Sequence, residues 1–156
     1  MLKIAQDMAK AEYPDIWVED VNIDAMMMWL TKNPENYHVI VAGNMFGDIV
    51  SDGFAGLVGG LGFACSANIG ETVSVFEPTH GSAPKYAGLY KVNPTAMLSA
   101  VALMLDYLKE DKLACKLKDT IAQVIEEGKV RTYDLGGTAS TLDVAREVAR
   151  KMVSNE

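Results

Sequence analysis

The spacing of apolar residues along the chain predicts a series of helices. Apolar side chains recur three or four positions apart, which puts them on one face of a helix. Pro14 and Pro34 stand just after two of these runs, and Gly128 ends another, as helix-terminating residues do. The predicted helices cover approximately residues 4–12, 24–33, 47–57, 94–108, 112–127 and 140–153.

Other segments have the composition of β-strands. Residues 17–23 and 73–76 are expected to be extended, and residues 38–42 form a short, unbroken run rich in β-branched side chains. An unbroken apolar run is typical of a parallel strand that is buried on both faces. Strands that alternate with helices predict an α/β fold with a parallel or mixed sheet and flanking helices.

Composition and charge narrow the class of protein. A chain of 156 residues that is 49% hydrophobic can bury one ordinary core, and 14 basic against 21 acidic residues give a net charge of −7. Because this charge repels phosphate backbones and anionic lipid, we expect neither a nucleic-acid nor a membrane partner. The first residues mix acidic, basic and apolar side chains, unlike a secretory signal, so a cytoplasmic location is expected. Cys65 and Cys115 stand far apart and are predicted to be buried, reduced thiols.

Two aspartates are candidates for metal binding. Asp48 and Asp52 are four positions apart in a predicted helix, so both carboxylates lie on one face and can share a divalent cation with a third ligand. Oxygen ligands of this kind suit Mg²⁺ or Mn²⁺. The alternative is that Asp48 only stabilises the helix N-terminus while Asp52 is solvated. Asp24 stands at the start of another predicted helix and could serve as its N-terminal cap.

A long loop, residues 78–92, has no apolar periodicity, which is typical of functional loops. His80 could stack on a base, and Lys85 with Tyr86 could hold a phosphate. Asn93 carries the paired donor and acceptor that can read a base edge. An ordinary surface loop is the alternative. The sequence contains no GxGxxG after a strand, so the Rossmann fingerprint is not invoked.

These stretches together resemble the β-decarboxylating dehydrogenases, a family that includes isocitrate, 3-isopropylmalate, homoisocitrate and tartrate dehydrogenases. The most specific stretch is residues 44–63, NMFGDIVSDGFAGLVGGLGF, which is similar to the family's signature segment. The resemblance covers essentially the whole chain and implies the C-terminal half of the family's fold. Residues 1–58 would end the small, dimer-side domain, and residues 59–156 would form the C-terminal part of the large, cofactor-binding domain.

The resemblance also implies a set of site residues. Asp48 and Asp52 match the family's metal-binding aspartates, and Asp24 matches the aspartate that reaches the same metal from the neighbouring subunit of a dimer. The segment HGSAPKYAG, with Val92-Asn93-Pro94, matches the adenosine-binding loop. The residues implied in cofactor binding are Glu77, His80, Gly81, Ser82, Ala83, Lys85, Tyr86 and Asn93.

Substrate and cofactor are assigned by finer likenesses. GLVGGLGFACSANIG resembles isocitrate dehydrogenases more than the isopropylmalate enzymes, so isocitrate is the expected 2-hydroxy acid and 3-isopropylmalate the alternative. Lys85-Tyr86 resembles NADP-dependent members. However, Gly137 stands where bacterial NADP enzymes have an arginine, four residues after the tyrosine that matches Tyr133, as in NAD-dependent members. NAD and NADP both remain candidates.

The resemblance places the family's other active-site residues in a half that precedes this chain. These are the substrate-binding arginines and serine, the catalytic tyrosine and the general-base lysine. We therefore predict no catalytic residue here beyond the metal ligands. The chain should act as part of an NAD(P)-dependent oxidoreductase, in a homodimer or with a longer homologous subunit, or be a non-catalytic or truncated subunit of such an enzyme.

Overall fold

A computed structural model describes residues 1–154. The chain forms two compact units, Met1–Leu57 and Val58–Glu156, which are described separately below. Among the described residues, no helix has both the length and the apolar composition needed to cross a membrane.

The first unit is helical. It contains α1 (Leu2–Glu12), α2 (Ile23–Lys32), a 3₁₀ helix (Pro34–Asn36) and α3 (Asn44–Leu57). Helices α2 and α3 pack together around buried Met26, Leu30 and Val50. Gly53 of α3 lies against α2, since a Cβ at this position would be 2.7 Å from the Cε atom of Met27. The face of α3 that carries Gly53 therefore packs against α2.

The second unit combines a small sheet with three helices. Strands β1 (Cys65–Ile69) and β2 (Ser74–Pro78) pair antiparallel, with Cys65 opposite Pro78 and Ile69 opposite Ser74. Helices α4 (Thr95–Tyr107), α5 (Asp111–Glu127) and α6 (Thr141–Ser154) follow, with 3₁₀ helices at Pro84–Tyr86 and Tyr133–Leu135. Helix α4 packs against both strands and α5, and α5 packs against α6. The core between the helices contains Ala102, Leu117, Ile121, Val124 and Val148.

The helix predictions are confirmed within a few residues. Helix α3 starts at Asn44, three positions before the predicted start near Gly47. Helix α5 ends where predicted, at Gly128, which has the left-handed backbone (φ 61°) common after a helix C-terminus.

The predicted parallel or mixed sheet is wrong for the described residues, whose single sheet is the antiparallel hairpin β1–β2. Residues 17–23 and 38–42 form no strand, and Val39 and Val41 are 84% and 71% exposed instead of buried on both faces. A strand needs a neighbouring strand to satisfy its backbone N–H and C=O groups. No second strand lies beside either segment in residues 1–154, so their β-branched composition alone does not make a sheet.

Two further features differ from the sequence predictions. Strand β1 was not predicted because Cys65-Ser66-Ala67-Asn68-Ile69 has little β-branched or alternating character, and its pairing with β2 defines it. Both cysteines are free, but Cys65 is only half-buried and Cys115 is exposed, so the predicted burial is wrong for Cys115. Cys115 lies on α5, away from the buried face that carries Ala114 and Leu117.

Two buried threonines in the second unit give a matched stability prediction. The hydroxyl of Thr132 has no hydrogen-bond partner, whereas that of Thr120 donates to the Lys116 carbonyl oxygen at 2.7 Å. An unpaired buried hydroxyl has lost its solvation without compensation. We expect Thr132→Val to raise the free energy of unfolding by about 1 kcal/mol and Thr120→Val to lower it by a similar amount. Urea denaturation measures both, and a loss of stability in Thr132→Val would contradict the prediction.

Candidate cofactor and metal sites

Helix α3 presents the two candidate metal-binding aspartates to solvent. Asp48 and Asp52 are one helical turn apart and both are exposed, whereas Gly53 faces α2. The Ser51 hydroxyl donates its hydrogen bond to the backbone carbonyl oxygen of Asp48 at 3.1 Å and therefore not to either carboxylate. Neither aspartate takes part in any salt bridge found among residues 1–154. Within the described residues, neither carboxylate is therefore paired with a cationic side chain.

Asp24 is not brought together with this pair into a metal cluster. It lies in the first turn of α2, exposed, and one carboxylate oxygen accepts a hydrogen bond from the backbone N–H of Ala25 at 2.8 Å. In the described part of the chain, no three or more His, Cys, Asp or Glu side chains come close enough together to hold a metal ion. Asp48 and Asp52 offer the oxygen donors that a hard cation prefers, but Mg²⁺ needs six ligands. The two carboxylates therefore fit a divalent cation, but the remaining ligands of such a site have to come from other groups.

The candidate cofactor loop of the second unit is anchored at both ends by backbone hydrogen bonds. Near its start, the backbone N–H and the hydroxyl of Thr79 both donate to the Ala64 carbonyl oxygen, at 3.1 and 3.2 Å. Near its end, the N–H of Thr141 donates to the carbonyl oxygen of Tyr90 at 2.7 Å. The Thr141 hydroxyl donates to the carbonyl oxygen of Val92 at 2.5 Å. The loop conformation therefore depends on the first residue of α6.

The N-terminus of α6 is itself held by a reciprocal cap. The carboxylate of Asp143 accepts hydrogen bonds from the backbone N–H and hydroxyl of Ser140, at 2.9 and 2.7 Å, and the Ser140 hydroxyl accepts from the Asp143 N–H. The hydrogen bonds from Ser140 lower the pKa of the Asp143 carboxyl below its ordinary value, so it stays ionised near neutral pH. This cap holds Thr141 in place and, through the hydrogen bonds of Thr141, the end of the candidate cofactor loop.

Five of the predicted cofactor residues lie at the end of β2 and in the first part of the loop. Glu77 is exposed on β2 and accepts a hydrogen bond from the Asn68 amide at 3.0 Å. His80 is half-buried, and its Nδ1 lies 2.9 Å from the carbonyl oxygen of Gly81, so that nitrogen carries the hydrogen. Gly81 and Ser82 are exposed, and Ala83 has a left-handed backbone (φ 44°) ahead of the 3₁₀ helix Pro84–Tyr86. The exposed backbone of this stretch can approach a ligand.

The 3₁₀ helix presents Lys85 and Tyr86. Lys85 is exposed, and the ring of Tyr86 packs against that of Tyr133, with centroids 6.0 Å apart and planes at 31°. The hydrogen bond with the Tyr86 phenol, aided by lost solvation, raises the pKa of Tyr133 above its ordinary value. The ammonium of Lys91 lies over both rings, 4.8 Å from the Tyr133 centroid and 5.7 Å from that of Tyr86. Two phenols and a lysine thus form one cluster, which we call the tyrosine–lysine cluster.

Asn93 is buried and its side chain is largely occupied within the protein. Its amide oxygen accepts hydrogen bonds from the backbone N–H and hydroxyl of Thr95, at 3.0 and 2.7 Å, and its amide nitrogen donates to Asp134 at 3.0 Å. One amide hydrogen is left to donate elsewhere. Asn93 therefore stabilises the start of α4, and its role in reading a base edge stays a prediction.

Sequence reasoning missed Lys91 and Asp134. Lys91 comes into contact with Tyr133 across 42 positions of the chain, and Asp134 holds Asn93 across 41. Neither residue lies in a motif, so no signal in the sequence identified them. Lys91 and Asp134 make these contacts only because the Tyr133–Leu135 helix packs beside the candidate cofactor loop.

Comparison with known proteins identifies the family. The model of the isocitrate/isopropylmalate dehydrogenase family matches residues 1–148. The chain is 49% identical over 141 residues to the 3-isopropylmalate/3-methylmalate dehydrogenase of Methanocaldococcus jannaschii, covering 90% of this chain and 42% of that protein. It is 48% identical over 136 residues to the NADP isocitrate dehydrogenase of Thermus thermophilus, covering 87% of this chain and 27% of that protein.

A solved structure gives the same result. The crystal structure of isocitrate dehydrogenase from Methylococcus capsulatus matches 97% of this chain with a TM-score of 0.91 and 40% identity, over 45% of that chain. This chain thus spans less than half the length of the relatives described here. On the family match and these identities, the chain belongs to the isocitrate/isopropylmalate dehydrogenase family of oxidoreductases.

Proposed function

We propose that this chain is the C-terminal part of an NAD(P)-dependent dehydrogenase that oxidatively decarboxylates a 2-hydroxy acid. The first candidate is isocitrate, converted to 2-oxoglutarate. The second is 3-isopropylmalate, because relatives with that name are as similar to this chain as those named for isocitrate. The proposal depends on one observation, which is that a single chain carries an exposed aspartate pair outside the salt bridges of residues 1–154 together with an anchored loop that contains His80, Lys85 and Tyr86.

The first unit would supply part of the metal site. Asp48 and Asp52 would bind Mg²⁺ or Mn²⁺ from one face of α3, and Asp24 of a second subunit would complete the protein ligands. When bound, such a cation polarises the hydroxyl and carbonyl oxygens of the substrate. The remaining catalytic groups would come from a part of the enzyme that this chain does not contain.

The second unit would bind the adenosine part of the cofactor. The half-buried imidazole of His80 would stack on adenine, and the exposed backbone of Gly81 and Ser82 would approach the ribose. Lys85 and Tyr86 would face the 2′ position, where NAD has a hydroxyl and NADP a phosphate. These roles are supported by the anchoring of the loop to Thr141 and Ala64.

A working enzyme would need a partner. We propose a cytoplasmic homodimer, or a complex with a longer homologous subunit, because the three candidate metal ligands do not meet within residues 1–154. The exposed apolar side chains of Val39 and Val41 support the same arrangement, since apolar surface favours burial against further protein.

A chimeric dehydrogenase tests this function. The present chain replaces the matched segment in the isocitrate dehydrogenase of Methylococcus capsulatus, of which it covers 45%. We expect substrate-dependent NAD(P)H formation, measured by its absorbance, from the chimera and none from the isolated chain. A folded dimeric chimera without activity, or turnover by the isolated chain, would contradict the proposal. Isocitrate and 3-isopropylmalate are then distinguished by their kcat/KM values on the complete natural enzyme.

A further inference from the structure

Lys91 has no role in the function described so far, yet its position is unusually well defined for an exposed lysine. The carbonyl oxygens of both neighbouring residues, Tyr90 and Val92, accept hydrogen bonds from Thr141. Tyr90 also has a left-handed backbone (φ 49°), which a non-glycine residue adopts only where surrounding contacts hold it. The backbone on both sides of Lys91 is thus fixed to the start of α6.

The side chain of Lys91 is held as well. Its ammonium lies over the faces of two aromatic rings, Tyr133 at 4.8 Å and Tyr86 at 5.7 Å. The negative face of each ring attracts the cation, and this attraction uses no hydrogen-bond acceptor. The N–H groups of the ammonium therefore remain able to donate to a ligand.

The chemistry of the cluster fits a phosphate monoester. One phenol hydrogen is used in the hydrogen bond between Tyr86 and Tyr133, so the pair can still donate one hydrogen bond to a ligand. Lys91 and Lys85, the residue before Tyr86 in the chain, together carry two positive charges. A phosphate monoester carries about −1.5 to −2 charges at pH 7, so a single lysine leaves it incompletely neutralised. Gly137, beyond the Tyr133–Leu135 helix, has no side chain that could provide a cation.

We propose that Lys91 is a specificity-determining residue whose ammonium, held over Tyr86 and Tyr133, binds the 2′-phosphate of NADP. The inference rests on the proposed function, since it assigns a residue to the proposed cofactor site. It predicts that this chain prefers NADP to NAD although Gly137 stands where an arginine is found in other NADP-dependent members. The charge comes from the loop before α4 instead of from the segment after Tyr133.

Binding of two nucleotides to the 156-residue chain tests this inference. Adenosine 2′,5′-bisphosphate carries the 2′-phosphate and 5′-AMP lacks it, and NMR titration at low salt measures both dissociation constants up to millimolar values. We expect Lys91→Met to weaken the bisphosphate about 10-fold or more, as removal of a charge-assisted hydrogen bond does, and to leave 5′-AMP within about 2-fold. Lys91→Arg should retain the preference. Lys112→Met, which removes an exposed charge from α5, should change neither.

The possible outcomes separate this inference from the proposed function. If the unmodified chain binds both nucleotides but Lys91→Met weakens neither, or weakens both equally, Lys91 does not read the 2′-phosphate and the nucleotide site stands. If the unmodified chain binds neither nucleotide, the cofactor role of the loop and the role of Lys91 are both overturned. A selective loss for the bisphosphate in Lys91→Met alone supports the inference.

Discussion

Replacement of Asp52 by asparagine in the chimeric dehydrogenase is expected to weaken Mg²⁺ binding by more than about 100-fold. Loss of a partner outside the first coordination shell already costs about 10–100-fold in metal affinity, and Asp52 is predicted to contact the ion directly. The asparagine side chain would keep one neutral oxygen but lose the charge that attracts the cation. Asp48→Asn should have an effect of similar size, since both carboxylates lie on the same face of α3.

The measurement is the Mg²⁺ concentration that gives half-maximal NAD(P)H formation, together with direct Mn²⁺ binding. Asp7→Asn is a matched control, because Asp7 is an exposed aspartate on α1 of the same unit. It should leave both values unchanged. If Asp48→Asn and Asp52→Asn bind Mn²⁺ as tightly as the unmodified chimera, the two aspartates are not metal ligands.

Gly137→Ala is expected to destabilise the second unit by about 3 kcal/mol, because overpacking usually costs about 1–3 kcal/mol and a clash with backbone cannot be relieved by rotating a side chain. A Cβ at Gly137 would lie 2.0 Å from the backbone oxygen and 2.6 Å from the carbonyl carbon of Arg131. That oxygen also accepts a hydrogen bond from the N–H of Ala139 at 2.8 Å, and Gly137 donates its own N–H to the Thr132 carbonyl oxygen. The two backbone segments are therefore held together where the added methyl group would have to fit.

Thermal unfolding followed by circular dichroism measures this effect. A loss of about 3 kcal/mol in a unit of this size lowers Tm by about 12 °C or more. Gly81→Ala is the control, because a Cβ at Gly81 meets no atom within 4 Å, and its Tm should be nearly unchanged. An unchanged Tm in Gly137→Ala would contradict the close approach of the two backbone segments. The same clash predicts that Gly137→Arg disturbs this turn before it can add a cation to the cofactor site.

Much of the helical structure could be predicted from the sequence because helix formation depends on neighbours in the chain. Helix α5 shows why, since its apolar residues recur at helical spacing and Gly128 supplies the left-handed residue that ends it. The sheet could not be predicted in this way. Residues 38–42 have the composition of a buried strand, but a strand forms only where another strand accepts its hydrogen bonds.

The candidate sites show the same difference between features set by neighbours in the chain and features set by distant residues. The aspartate pair was predictable, because four positions in a helix always bring two side chains onto one face. The role of Asn93 was not, because Thr95 and Asp134 occupy most of its hydrogen-bonding groups and Asp134 is 41 positions away. Whether a polar side chain is free for a ligand depends on its partners in the folded chain, and a motif does not reveal them.

The sequence by itself determined the family, the helices and the spacing of Asp48 and Asp52, since each depends on the order of residues over short distances. Only the tertiary structure decided that Lys91 lies over Tyr86 and Tyr133. Contacts between positions far apart in the chain depend on how its elements pack. Here the hydrogen bonds of Thr141 to the residues on either side of Lys91 tie the cofactor loop to α6.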